Sequence, residues 1–187
     1  MNMHSNVFFT SDWHLNHKRI KEFCPHSRKG DTPEQMTDMI LTNVDKQTKR
    51  GDIIYNIGDI SFGTEEQTVK ALVDIKKMGV QHFLILGNHD KRIRDSTGLR
   101  SRFDWVGDMK CITLGNQVIV MNHFPYAIWD RCHHGSWHLH GHSHGGYQQP
   151  GKCMDVGIDT RTSGDMKMWS YDEVDQIMKF QSIVRHH

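Results

Sequence analysis

Short apolar runs that end in small or acidic polar residues recur along the first half of the chain. Such runs, rich in β-branched and aromatic residues, are typical of buried strands. Each of the first three leads into a polar loop. These three predicted strands are Val7 to Thr10, Asp52 to Ile57 and His82 to Leu86.

Segments with helical spacing of apolar residues separate these runs. Thr32-Pro33-Glu34 offers an N-cap, a proline at the first helical position and an acid, and predicts a helix to about Lys49. Thr64 to Gln67 has the pattern of a capping box, and Gly79 is placed to end the helix that follows. Alternating strands and helices favour a largely parallel α/β sheet, which binds ligands at the loops after its strands.

The second half of the chain is richer in strand patterns. Leu114 to Gln117 predicts a tight hairpin, and Ser170 is placed to cap a closing helix from Tyr171 to Phe180. A second, mixed sheet is therefore expected. Its predicted strands are Lys110 to Leu114, Gln117 to Met121, Trp137 to His140 and Met154 to Ile158.

Length and composition fit one globular domain, which we predict to span residues 1–187. The 23 Lys and Arg nearly balance the 22 Asp and Glu, so charge supports neither a nucleic acid nor a membrane surface as a partner. No apolar run approaches the ~18 residues of a membrane span, Met1 to Ser11 lacks signal-peptide features, and the cysteines form no Cys-x-x-Cys pair. We expect a cytoplasmic protein.

Histidine is unusually frequent, with 15 residues, of which His186 and His187 are interpreted as the remnant of a purification tag. Potential oxygen and imidazole ligands follow strand-like runs in five blocks. Alone, each block could be an ordinary turn, a helix cap or a packed histidine, but their repeated placement favours a metal site. The blocks are Asp12-x-His14, Gly58-Asp59, Gly87-Asn88-His89-Asp90, Asn122-His123 and Gly141-His142-x-His144.

In this order the five blocks resemble the signature of the calcineurin-like metallophosphoesterase superfamily, with Gly-Asn-His-Asp and Gly-His-x-His as its most specific parts. The resemblance spans Asp12 to His144. It implies a four-layer sandwich of two mixed β-sheets flanked by helices, with metals at the carboxyl-end loops. Asp155, Gly157 and Asp159 after Cys153 look like the pattern of the small single-domain bacterial and phage-encoded members.

The resemblance also implies two divalent metal ions and their ligands. One ion would be held by Asp12, His14 and His144, and the other by Asn88, His123 and His142. Asp59 would bridge both. Oxygen and imidazole ligands suit several transition metals, and we expect manganese first, with zinc, iron or nickel as alternatives.

The implied chemistry is an in-line displacement at phosphorus. Two cations can activate a shared water and clamp the attacking and leaving oxygens, so a bridging hydroxide is the expected nucleophile. His89 would protonate the leaving oxygen or stabilise its charge, and Asp90 would orient the His89 ring. His17 and Arg92 are predicted to receive phosphate oxygens, with an ordinary solvated loop as the alternative.

The expected function is a metal-dependent phosphoric ester hydrolase that acts on small phosphodiesters or nucleotides. The second block lacks Asp-Arg-Gly, and Asp90 stands where protein phosphatases have glutamate, which disfavours a Ser/Thr protein phosphatase. The alternatives are a nuclease, disfavoured by short basic runs, and a non-catalytic scaffold, disfavoured by the full ligand set. Open roles remain for His133, His134, His138, Asp155 and Asp159.

Overall fold

The computed structural model describes residues 5–185. Residues 1–4, which belong to the segment expected to lack signal-peptide features, lie outside this range, as do His186 and His187, interpreted as a tag remnant. No helix within the range combines the length and the apolar character needed to cross a bilayer.

The described residues form nine strands and six α-helices. The strands are β1 (Val7–Thr10), β2 (Ile53–Asn56), β3 (Gln81–Ile85), β4 (Trp105–Gly107), β5 (Met109–Leu114), β6 (Gln117–Asn122), β7 (Trp137–His140), β8 (Cys153–Asp155) and β9 (Trp169–Ser170). The helices are α1 (Ile20–Phe23), α2 (Pro33–Gln47), α3 (Glu65–Lys77), α4 (Lys91–Asp95), α5 (Thr97–Arg100) and α6 (Tyr171–Lys179). Two 3-10 helices span Cys132–His134 and Ile158–Thr160.

The first sheet has the strand order β4-β3-β2-β1-β9. Strands β1 to β4 run parallel, with Val7 paired to Ile53 and Ile53 paired to Gln81. Strand β9 closes the edge antiparallel to β1, where Trp169 pairs with Phe9. Because β1, β2 and β3 are parallel neighbours, the three loops that follow them leave the same edge of the sheet.

The second sheet has the order β5-β6-β7-β8 and is also mixed. Strands β5 and β6 form the predicted antiparallel hairpin, whose turn contains Gly115 at φ +58°. Strands β6, β7 and β8 are parallel, with Ile119 paired to Trp137 and Leu139 paired to Met154. The loops after β6 and β7 therefore leave a common edge as well.

Alternating side chains assign the strands to different layers. Phe8 of β1 packs with Met36 of α2 and Leu72 of α3, so these helices cover the outer face of the first sheet. Phe9 packs with Ile119 and other side chains of the second sheet, in an inter-sheet core that α6 also joins. On the far face of the second sheet Val120 and Cys153 pack against Trp129 and Cys132, in the segment that ends in a 3-10 helix. The predicted four-layer arrangement of two mixed sheets is confirmed.

Helix caps follow the sequence closely. Thr64 and Gln67 form both hydrogen bonds of the predicted capping box, and Ser170 caps α6 in the same way with Glu173. Thr32 caps α2, and the proline beside it occupies the first helical position. The three longest helices therefore begin where their capping residues place them.

The predicted strand from Met154 to Ile158 is wrong in its second half. Strand β8 ends at Asp155, whose Oδ1 accepts the N–H of Gly157 at 2.8 Å, and Ile158 begins a 3-10 helix. The carboxylate thus bends the chain away from the sheet, as Asp side chains commonly do in turns. The short strands β4 and β9 were not predicted.

Candidate metal centre

The main chain is left-handed at most of the predicted ligands. Eight non-glycine residues among those described have positive φ, and five of them are predicted ligands. Such a conformation is costly for a side-chain-bearing residue and persists where the surrounding structure imposes it. The left-handed main chain therefore lowers the stability of the fold but sets the directions of these side chains. The five are Asp12, His14, Asp59, His142 and His144.

Glycines in two of the blocks permit close approach between loops. Gly58 has φ +98°, and a Cβ atom there would lie 2.6 Å from the main-chain nitrogen of Gly87. A Cβ atom on Gly141 would overlap Ser11 Oγ and lie 2.5 Å from Asp12 Oδ2. The loops can converge because neither residue carries a side chain.

Asp59 lies at the centre of the convergent loops, with its side chain 2% exposed. Its Oδ2 is 3.4 Å from His123 Nε2, 3.8 Å from His14 Nε2 and 4.0 Å from His89 Nε2. Its Oδ1 accepts the His89 main-chain N–H at 2.9 Å. This carboxylate therefore faces histidines from both predicted ligand sets, as a bridging ligand must.

The first predicted set comes together around Asp12. His14 Nε2 and His144 Nε2 lie 3.7 and 3.9 Å from Asp12 Oδ1, and the two imidazole rings stack with centroids 5.1 Å apart. Within residues 5–185, neither ring nitrogen of buried His14 has a hydrogen-bond partner. A buried polar group without a partner is costly. A cation bound among these ligands would satisfy His14, so this donor set fits a divalent metal.

The second predicted set gathers around His123. His123 Nε2 lies 3.1 Å from Asn88 Oδ1, and its ring centroid is 5.3 Å from that of His142. Its Nδ1–H donates to the Ile57 carbonyl at 2.7 Å, which leaves Nε2 to face the ligands. Potential ligand atoms of His123, Asp12 and Asp59 also lie within 4.8 Å of one another. The two sets therefore adjoin.

Opposite charges accumulate in this buried region. Burial alone would raise the pKa of Asp12, but the imidazoles of His14, His123 and His144 lower it to about 2. Burial would lower the pKa of His123, whereas the Asp59 and Asp12 carboxylates raise it to about 9. The carboxylates thus stay ionised, as metal ligands must.

His89 is the most accessible of the residues expected to assist chemistry. Its side chain is 47% exposed, while its ring lies 5.9 Å from that of His14 and its Nε2 lies 4.0 Å from Asp59 Oδ2. The ring therefore stands at the mouth of the site, where a bound substrate could reach it.

The prediction that Asp90 orients the His89 ring is wrong. The buried Asp90 carboxylate accepts main-chain N–H groups of Asp59, Ile60 and Gly87 at 2.8 to 2.9 Å. Burial raises the pKa of Asp90, and these hydrogen bonds counter that rise. Asp90 therefore ties the third block to the second and positions Asp59.

The two predicted phosphate-binding residues differ in their placement. The His17 ring lies 4.1 Å from the Phe62 ring and 5.7 Å from the His14 ring, beside the first ligand set. Exposed Arg92 donates from Nη1 to the Gly63 carbonyl at 2.6 Å, next to Phe62 in sequence. His17 thus adjoins the ligands, while Arg92 reaches only the loop around the site.

Two half-exposed aromatic rings were missed by sequence reasoning. Phe62 is 39% exposed and packs against His14 and His89, with ring centroids 5.1 and 4.6 Å apart. Phe124 is 44% exposed and packs against His142 at 4.6 Å. Each follows a ligand block closely in sequence, and this adjacency was the signal that could have found them.

The residues with open roles separate into supports of the site and packed side chains. Asp155 accepts Ser143 Oγ at 2.6 Å and the Gly145 N–H at 2.9 Å, and Asp159 contacts the His144 ring. Buried His138 donates to the Val120 carbonyl and accepts the Tyr126 N–H, and burial lowers its pKa to about 4. The rings of His133 and His134 pack against each other within their 3-10 helix.

Comparison with known proteins agrees with this arrangement of loops. The sequence pattern of the family described as calcineurin-like phosphoesterase matches residues 5–178. This range contains both sheets and all five ligand blocks. The chain belongs to the calcineurin-like phosphoesterase family.

Individual relatives come from bacteriophages and from a bacterium. The Gene 66 protein of Mycobacterium phage L5 is 30% identical over 169 residues, which are 75% of this chain and 78% of the phage protein. The Gene 66 protein of Mycobacterium phage D29 is 31% identical over 164 residues, covering 75% and 79%. A solved protein of unknown function from Aquifex aeolicus superposes with a TM-score of 0.72 at 24% identity, over 93% of this chain and 100% of that one. This last similarity concerns the fold alone.

Proposed function

We propose that this protein hydrolyses small phosphodiesters or nucleotides with two divalent metal ions held by the five convergent loops. The observation that carries the proposal is the Asp59 carboxylate, which lies within 4 Å of histidine nitrogens from both ligand sets. A shared carboxylate offsets the repulsion between neighbouring dications. Family membership supports the reaction class, because calcineurin-like phosphoesterases act on phosphoesters.

The donor atoms suit two ions of the same general kind. Each set combines oxygen with imidazole nitrogen, a mixture that suits manganese and also zinc, iron or nickel. Bound together, two such ions would lower the pKa of a water and neutralise charge on the phosphoryl oxygens. Manganese is the ion we expect first.

The protein's own residues have distinct tasks in the proposed reaction. Buried Asp12 and Asp59 would hold the cations. His89 faces the open side of the site, so its ring can donate a proton to the leaving ester oxygen or stabilise the negative charge that develops there. Asp90 acts at a distance by holding the main chain of Asp59 and Gly87.

The rim of the site supports a small substrate that carries an apolar or aromatic ester group. Phe62 adjoins the first ligand set and Phe124 adjoins the second, and each presents part of its ring to solvent. Half-exposed aromatic rings next to a polar site offer stacking surfaces for a planar group such as a nucleobase. The net charge of +1 gives little attraction for a long polyanion.

The test is hydrolysis of bis-p-nitrophenyl phosphate and of the corresponding monoester by metal-stripped protein. Manganese, nickel, zinc, magnesium or iron(II) is added back singly, and bound metal is counted in the same samples. We expect a transition metal to restore diester turnover at two ions per chain. Two bound ions without turnover of either ester would favour the scaffold alternative, unless single-stranded RNA or DNA is degraded, which would favour the nuclease.

A further inference from the structure

Arg28 is a buried cation in the loop between α1 and α2, with a side chain that is 0% exposed. Its Nη1 donates to the Trp13 carbonyl at 2.8 Å, and its Nη2 donates to the Asp12 carbonyl at 2.5 Å. These carbonyls belong to the loop in which Asp12 and His14 have left-handed main chain. The guanidinium therefore holds the main chain of the first ligand block through two of its carbonyl groups.

The same guanidinium pairs with Asp159, which comes from the opposite end of the sequence. Arg28 Nε donates to Asp159 Oδ1 at 2.7 Å, and Nη2 donates to Oδ2 at 2.6 Å. Ser27 Oγ also donates to this carboxylate, which is 2% exposed. Burial would raise the pKa of Asp159, but His144, Arg28 and Ser27 hold it well below its usual range. The hydrogen bonds from Arg28 and Ser27 thus hold the Asp159 carboxylate in one position.

Asp159 acts on the metal site through His144. Its Oδ2 accepts His144 Nδ1–H at 2.7 Å, which turns His144 Nε2 toward Asp12. A carboxylate in this position fixes the ring's tautomer and raises the basicity of the other nitrogen. In the second ligand set, His123 Nδ1–H donates instead to the neutral Ile57 carbonyl. The two sets therefore differ in the charge behind their histidines.

We propose that the Arg28–Asp159 pair is the positioning unit of the Asp12–His14–His144 set and makes it the tighter of the two metal sites. The guanidinium holds the carbonyls of the first block, while the carboxylate it carries orients the histidine of the last. This inference rests on the proposed two-metal function, because His144 must bind an ion for its basicity to matter.

A competing interpretation is that Cys24, His144 and Asp159 bind an ion of their own. Potential ligand atoms of these residues lie within 4.8 Å of one another, and Cys24 Sγ is 3.6 Å from His144 Nδ1. However, both oxygens of Asp159 already accept hydrogen bonds from the Arg28 guanidinium, whose charge repels a second cation. The cluster is better explained as support for His144.

The test measures metal affinity by calorimetry in two backgrounds that each retain one site. Asn88→Ala retains the Asp12–His14–His144 site, and His14→Ala retains the other. We expect Asp159→Asn to weaken manganese or zinc binding about 10- to 100-fold in the first background, and to leave affinity in the second unchanged. Asp165→Asn is the matched control, because it removes a carboxylate that pairs with Arg161 outside the site. Cys24→Ser should leave the number of bound ions unchanged.

Equal weakening in both backgrounds, or no weakening in either, overturns the inference, and loss of an ion with Cys24→Ser favours the competing site. Because Asp159→Asn leaves a buried arginine unpaired, it can also destabilise the fold. The double variant Arg28→Met/Asp159→Leu removes both charges and the acceptor of His144, and should show the same site-selective loss. If the wild-type protein binds no ions, the proposed function itself fails.

Discussion

The two ligand sets differ in how deeply the fold encloses them. In the first set Asp12 and His14 are buried, and a buried ion pair supports His144 from behind. In the second set His123 is buried, but Asn88 and His142 are exposed and Phe124 stands half exposed beside them. Under the proposed function we therefore expect the first set to retain its ion more firmly, and the second to be more open to solvent and substrate. The difference in burial would assign firm binding to one proposed ion and access for substrate to the other.

The largest expected effect abolishes the difference between the two ligand sets, because both would lose their ion. Asp59→Asn withdraws the carboxylate that faces both sets, so both ions should weaken and activity should fall to background. Metal counting after dialysis, together with diester turnover, checks this result. Retention of two tightly bound ions by the variant would contradict the bridging role of Asp59.

His89→Ala should separate catalysis from metal binding. The ring is half exposed and its main-chain N–H, which holds Asp59, is kept in the variant. We expect kcat to fall about 10²- to 10⁴-fold, the usual contribution of a positioned acid or base. Metal content should match wild type. Parallel loss of metal and rate would assign His89 to the ligands instead.

The contrast between enclosed and open sets can be measured through thermal stability. An ion that binds only the folded protein raises stability by about 2.7 kcal/mol at 100 times its Kd. His14→Ala should lose most of the rise in Tm that manganese produces, whereas His142→Ala should keep most of it. Thermal unfolding of both variants with and without manganese checks this result. A larger loss of the Tm rise in His142→Ala than in His14→Ala would mean that the second set binds its ion more tightly.

The aromatic rim should affect substrate binding more than chemistry. Phe62→Ala or Phe124→Ala should raise KM for bis-p-nitrophenyl phosphate by about tenfold, since base–aromatic stacking is worth roughly 1–3 kcal/mol. Phe180→Ala is the control, because that ring is 90% exposed on the C-terminal side of α6. If kcat and metal content fall while KM stays constant, the rings serve only to pack the histidines.

The smallest expected effect concerns the core behind the first set. Burial lowers the pKa of His82, which packs against Trp13, to about 3. The unfolded chain binds a proton at this histidine below about pH 6.5, so its stability contribution is complete above that pH and is lost as pH falls toward 3. His82→Phe should flatten the acid loss of stability by up to tenfold per pH unit in the unfolding equilibrium. An unchanged pH profile would contradict a neutral buried His82.

The five blocks of candidate ligands could be recognised because each lies within a few positions of a predicted strand, while their division into two metal sites was implied only by the family resemblance. Parallel strands bring such loops together whatever the details of packing. Arg28 and Asp159 could not be predicted as a pair, because they lie 131 positions apart and no periodicity links them. Asp90 was assigned to its sequence neighbour, but its carboxylate turns toward main-chain groups of the preceding block. The residue types of the candidate site could be read from the sequence, whereas the direction of a side chain such as that of Asp90 depends on tertiary contacts.

The inter-sheet core separates two sheets that each carry candidate ligand blocks on the loops after their strands. Three ligand blocks follow strands of the first sheet and two follow strands of the second. The proposed metals would therefore be held by loops from both sheets. Phe9 of the first sheet and Leu139 of the second pack together in the core between the two sheets. The volume of these side chains sets the distance between the two sheets, and with it the distance between the ligand blocks that follow their strands. If the chain binds two metals as proposed, substitutions that change apolar volume between the sheets should alter the spacing of the ligand sets without contacting either ion.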